Sequence, residues 1–117
     1  MKHRLGEARI GEARIKVPDR INRGDLITVN SIVSHPMDTG FFRDAAGDPI
    51  PAYFIKQVVV TYGGSEVARF EWTSGISRDP VVSFTLKAER EAPLTMVWTD
   101  NKGARFKQSV NIAFASA

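Results

Sequence analysis

Apolar and polar residues alternate with a period of two along most of this chain, and no stretch sustains the 3.6-residue period of a helix. Ile27, Val29, Ser31 and Val33 share one face against Thr28 and Asn30, so residues 25–34 are predicted to form a strand. Residues 53–62 are denser, with Phe54, Val58 and Val60 opposing Ile55 and Val59, as a centrally buried strand would be. Tyr62-Gly63-Gly64-Ser65 then predicts a tight hairpin, because two adjacent glycines reach the positive φ values of a primed turn. Ala68, Phe70 and Trp72 line one face of the next strand. Val82, Phe84 and Leu86 alternate with Ser83, Thr85 and Lys87, and Leu94, Met96 and Trp98 repeat the pattern. Asp100-Asn101-Lys102-Gly103 predicts a second hairpin turn, followed by Phe106, Gln108, Val110, Ile112 and Phe114 against Arg105, Lys107, Ser109 and Asn111.

With residues 13–17 counted first, about seven short strands are expected. That number in about 100 residues predicts an all-β fold, an immunoglobulin-like (fibronectin type III-like) antiparallel two-sheet sandwich. A closed barrel is the alternative, since alternation gives the count of strands better than their order. Trp72 and Trp98 are the expected core anchors, each able to bury up to about 250 Å².

One stretch interrupts the alternation. Residues 34–51 hold Ser34-His35-Pro36-Met37-Asp38-Thr39-Gly40, then Arg43-Asp44, then Gly47-Asp48-Pro49-Ile50-Pro51, a long break for a compact domain. Such a break either binds something or is an ordered connection between two sheets. The chain start is also unusual: Gly6-Glu7-Ala8-Arg9-Ile10 is copied at once as Gly11-Glu12-Ala13-Arg14-Ile15. A five-residue copy is too short for a solenoid unit, whose periods begin near 20 residues. Residues 1–12 are therefore expected to be a flexible basic leader, and residues 13–117 the sandwich domain.

Composition narrows the function. With 117 residues, 43% apolar and 25% charged, the chain fits one domain with a core that folds without staples. It has no cysteine, which excludes a disulfide, a catalytic thiol and a thiolate zinc site. No run of eighteen apolar residues is present, and the basic N-terminus is not followed by an apolar segment, so no signal peptide is expected. The pI near 9.5 suggests nucleic acid at first. Yet residues 1–20 carry six Lys/Arg and three Asp/Glu, while residues 21–117 carry ten of each, so the excess lies in the leader and the body is neutral. No basic stripe interleaved with aromatics is visible.

The chemistry on offer is thin. His35 is one of two histidines, and Ser34, Asp38 or Asp44 could be drawn beside it as a triad. Neighbours on a loop do not establish the base and orienter geometry that acyl chemistry requires, so no enzymatic role is expected. Copper is a sharper alternative, because His35 and Met37 place an imidazole and a thioether on one face of an extended segment. Two ligands do not make a selective site.

Taken in order, Arg14-Ile15-Lys16-Val17-Pro18, the His-Pro-Met-Asp-Thr-Gly loop, Arg43-Asp44-x-x-Gly47, Ile50-Pro51, Tyr62-Gly63-Gly64, Ile76-Ser77-x-x-Pro80 and Trp98-Thr99-Asp100-x-x-Gly103 resemble the SoxZ family. SoxZ is the small subunit of the SoxYZ sulfur carrier of bacterial thiosulfate oxidation, and the likeness runs from about residue 13 to about residue 114. The resemblance implies an immunoglobulin-like sandwich and a non-catalytic subunit, with no cofactor. Its partner would be a SoxY-type chain carrying sulfur intermediates on a cysteine in a Gly-Gly-Cys-Gly-Gly arm, served transiently by the other sulfur-oxidation enzymes. It also implies a periplasmic heterodimer, the Z subunit leaving the cytoplasm folded on its partner. This chain ends Phe114-Ala115-Ser116-Ala117 and is not expected to carry the sulfur itself. Phe41, Phe42, Ile50 and Tyr53 are partner-contact candidates, since aromatics on a polar loop are favoured at interfaces, with His35, Met37 and Arg43 of the same loop beside them. The turn at residues 100–103 and Asp79-Pro80 depart from the family pattern but make similar backbone demands.

Overall fold

The computed structural model describes residues 9–115 and contains seven strands. These are β1 (Ala13–Lys16), β2 (Leu26–Val33), β3 (Ile55–Tyr62), β4 (Ser65–Glu71), β5 (Val81–Lys87), β6 (Ala92–Asp100) and β7 (Arg105–Ile112). They form a three-stranded sheet in the order β1-β2-β5 and a four-stranded sheet in the order β4-β3-β6-β7, with every pairing antiparallel. Two separate sheets make a sandwich rather than a closed barrel. Pairing of β4 with β3 gives it the fibronectin type III-like form of the immunoglobulin-like architecture.

Alternation decides which face is buried. In β2, Ile27, Val29, Ser31 and Val33 face inward, and in β6 Leu94, Met96 and Trp98 do the same. Leu86 of β5 and Ile112 of β7 complete the contact between the sheets. Tyr62 and Ser65 pair across Gly63 and Gly64, whose φ values of 59° and 86° fulfil the primed turn.

Two expectations are corrected. Ile55 lies on the core face together with Val58 and Val60, not opposite them, because a bulge between Ile55 and Gln57 shifts the β3–β6 register. One extra residue reverses the parity of everything on its far side. Trp98 is fully buried, but Trp72 lies just beyond the end of β4 and only half-covers the core edge. Pairing with β2 also begins before Ala13. The Gly11 N–H donates to the Ser34 carbonyl and the Ser34 N–H to the Glu12 carbonyl, while residues 1–8 of the expected leader lie outside the described residues. Gly11 is required there: its φ is 89°, and a Cβ would come within 2.2 Å of the Phe106 ring.

The two tryptophans should therefore differ in weight. Trp98→Ala is expected to cost about 3–5 kcal/mol in urea unfolding and Trp72→Ala clearly less. Equal losses would contradict this placement of the core.

Candidate functional site

Residues 34–54 link the two sheets, and their backbone is ordered by a short ladder. The inward parity of β2 continues through Val33 to His35 and Met37, and both are buried, at 1% and 4% exposure. Asp38 and Tyr53 then exchange backbone hydrogen bonds at 2.7 and 3.0 Å, closing the root of an arm. Further out, the Ile50 N–H donates to the Phe42 carbonyl, and Arg43 bridges to Pro49. Asp44 makes the tip. Its carboxylate accepts the N–H groups of Ala46 and Asp48, and the Arg43 guanidinium donates to the Gly47 carbonyl. The Arg43-Asp44-x-x-Gly47 motif is thus a turn-building device.

The root is held by a buried pair drawn from both sheets. His35 Nε2 faces Asp100 Oδ2 at 3.7 Å, with both side chains fully buried. His35 Nδ1 accepts the Met37 N–H at 3.2 Å, which places the ring proton on Nε2, toward the carboxylate. At 3.7 Å that contact is longer than a hydrogen bond, and neither Nε2 nor Oδ2 has a hydrogen-bond partner among the described residues. Asp100 Oδ1 accepts the N–H groups of Lys102 and Ala104, so the same carboxylate shapes the β6–β7 turn. Tyr53 covers the pair, its ring 4.4 Å from the imidazole and 3.8 Å from the Lys102 ammonium. Asn101 clamps the far side through the Phe54 N–H and the Ala52 carbonyl. Burial pushes the Tyr53 hydroxyl above its usual range, with Asp100 adding in the same direction.

The residues singled out from sequence separate into two groups. Phe41 and Phe42 stand in solvent at 87% and 68% exposure, with Arg43 exposed beside them and Ile50 half-buried below. His35 and Met37 do not reach a surface a partner could touch, and Tyr53 is partly covered, its ring packed on His35. The donor atoms of the copper alternative are also engaged: His35 Nδ1 by Met37, and Met37 Sδ by the Ile55 N–H at 3.3 Å. No group of three His, Asp or Glu lies together among the described residues. The triad drawn with Ser34, Asp38 or Asp44 does not assemble, since both imidazole nitrogens point elsewhere. In the sequence Asp100 reads only as a turn residue. It has the parity of Leu94, Met96 and Trp98, which carries it inward.

Comparison with known proteins agrees with this architecture. The family described as sulphur oxidation protein SoxZ matches residues 15–111. No curated protein matches the chain. Among solved structures, the sulfur carrier protein SoxY from Chlorobium limicola f thiosulfatophilum is 17% identical, covering 89% of this chain and 79% of its own, with a TM-score of 0.62. A superoxide reductase (neelaredoxin) from Ignicoccus hospitalis is 19% identical over 88% of this chain and 80% of its own, with a TM-score of 0.64. A putative superoxide reductase from Thermotoga maritima is 16% identical over 89% and 86%, with a TM-score of 0.66. At these identities the likeness is one of fold.

The buried imidazole makes stability depend on pH. Burial holds its pKa below the ordinary 6.5, against the opposing pull of Asp100 and, more weakly, Asp38 and Asp79. Below about 6.5 the unfolded chain binds a proton that the folded chain refuses, so this stability is full above that value and falls toward the folded pKa. The urea midpoint should drop between pH 7.5 and 5.5, and His35→Gln should flatten that segment. An identical slope in the variant would contradict it.

Proposed function

The chain belongs to the SoxZ family of sulphur oxidation proteins, and on that premise we propose that it is the non-catalytic subunit of a SoxYZ-type sulfur carrier. It binds a SoxY-type chain whose cysteine arm holds the covalent sulfur intermediates. The pair works in the periplasm, and this subunit is exported with its partner. Lack of cysteine suits the role, because a free thiol beside the carrier cysteine would compete for its sulfur by exchange.

The observation that carries this reading is the arm. Two adjacent phenylalanines, Phe41 and Phe42, are held in solvent by a turn whose every polar contact is internal to it. Exposed aromatics on an ordered support lose little entropy on binding and are typical anchors of an interface. Their exposure also means that they are not caps of the sandwich core.

Removing an aromatic anchor usually costs about 2 kcal/mol or more of binding, some thirtyfold in affinity. Phe41→Ala and Phe42→Ala, separately and together, should weaken the heterodimer by roughly 10–100-fold in titration calorimetry while leaving the thermal midpoint unchanged. Undiminished affinity in the double variant would remove the arm from the interface.

A further inference from the structure

A two-sheet sandwich has four sheet edges, and this chain treats them differently. The edges of β1 and β7 lie against each other, with the Gln108 side chain donating to the Ala13 carbonyl at 3.0 Å. The edge strand β4 is guarded. It carries Glu66 and Arg69 as a bidentate ion pair and Glu71 hydrogen-bonded to Gln57, and a bulge interrupts its pairing with β3. Charges and bulges are the usual protection of an edge against adding another strand. β5 has neither. Its seven residues contain one charge, Lys87 at the end, and its pairing with β2 is unbroken in register. Among the described residues, no strand other than β2 runs beside it.

The ladder shows which groups are free. Val33 donates to the Pro80 carbonyl and Ala88 to the Asp25 carbonyl across the β2–β5 pair. Antiparallel alternation between those two points turns the backbone groups of Val82, Phe84 and Leu86 toward β2. Those of Val81, Ser83, Thr85 and Lys87 turn to the open edge. Within the strands of this sheet the charge is of one sign, while Asp79 and Glu89 bracket β5 in sequence. β1, β2 and β5 contain no Asp or Glu, while Arg14, Lys16 and Lys87 stand exposed on the outer face. At the other end of β5, Ile32 and Val81 pair and remain 42% and 63% exposed in a shallow hollow of about 250 Å³ rimmed by Arg14 and Lys16.

The edge also begins at the arm. The His35 backbone donates to the Asp79 carboxylate and accepts from the Asp79 N–H, both at 2.9 Å, so the entry to β5 is bonded to the root of the arm.

We propose that the free edge of β5 takes an extended segment of the partner subunit as a fourth strand, apolar where it passes Val81 and acidic where it passes Lys87. The inference rests on the partner-binding reading above and goes beyond it by naming the backbone that is shared. Main-chain bonds supply the affinity in such strand addition, and the flanking side chains supply the choice of segment. The cationic face selects against basic segments, and the Ile32–Val81 pair fixes the register.

Amide hydrogen exchange, residue by residue, tests this on the free chain and on its complex with a co-expressed SoxY-type subunit. The amides of Ser83, Thr85 and Lys87 should exchange quickly in the free chain and slow at least roughly tenfold in the complex, while Val82, Phe84 and Leu86 stay slow in both. Thr85→Pro removes one outward N–H at a position where an edge strand tolerates proline. It should weaken the complex about tenfold with little change in thermal midpoint. Fast exchange at all three positions within a formed complex overturns the proposal and leaves the arm reading standing. Protection already present in the free chain and lost on dilution also overturns it, by assigning the edge to a second copy. Absence of any complex defeats both readings.

Discussion

A neutral imidazole faces a carboxylate in the closed interior where the two sheets meet at one end of the sandwich. His35 arrives from the end of β2 in the three-stranded sheet, and Asp100 from the end of β6 in the four-stranded sheet. Burying these groups costs free energy that a hydrophobic pair would not, so the pair is better understood as fixing an arrangement than as adding stability. Each partner is committed elsewhere as well. His35 holds Met37 through Nδ1 and Asp79 through its backbone, and Asp100 holds the β6–β7 turn through Oδ1. The arm, the entry to β5 and the last hairpin therefore share one anchoring point.

Period-two alternation makes most of the fold legible in the sequence. Seven strands, both hairpin turns and the inward faces of β2, β5, β6 and β7 follow from it, because a half-buried sheet has to separate its two faces. The misplacement of Ile55 has a definite origin, since a bulge adds a residue without leaving a mark in the apolar pattern. Trp72 carries the same weight as Trp98 in the sequence because size alone does not tell an edge position from a central one. The site is half legible. Continuing the parity of β2 through Pro36 carries His35 and Met37 inward, and continuing that of β6 carries Asp100 inward to meet them. Sequence does not show that the meeting occurs, as it joins residues 65 positions apart through the packing of two sheets. Loop composition likewise hides the contrast between exposed Phe41 and Phe42 and the half-buried Ile50, which depends on the arm standing clear of the core.

The residues that first suggest chemistry serve as structure, and those that suggest packing are the accessible ones. The imidazole and thioether are spent on backbone N–H groups, whereas the two phenylalanines are left in water at a net cost in solvation. A chain built this way gives up stability to hold two aromatic side chains in solvent.

The arm is a fixed platform rather than a loose loop, closed by the Asp38–Tyr53 and Phe42–Ile50 backbone bonds. Backbone ¹⁵N relaxation on the free protein tests it most directly, through the order parameters of residues 38–50 beside those of β2 and β6. Values near those of the strands, about 0.85, are expected. Values below about 0.6 across the arm, with the strands rigid, would contradict it.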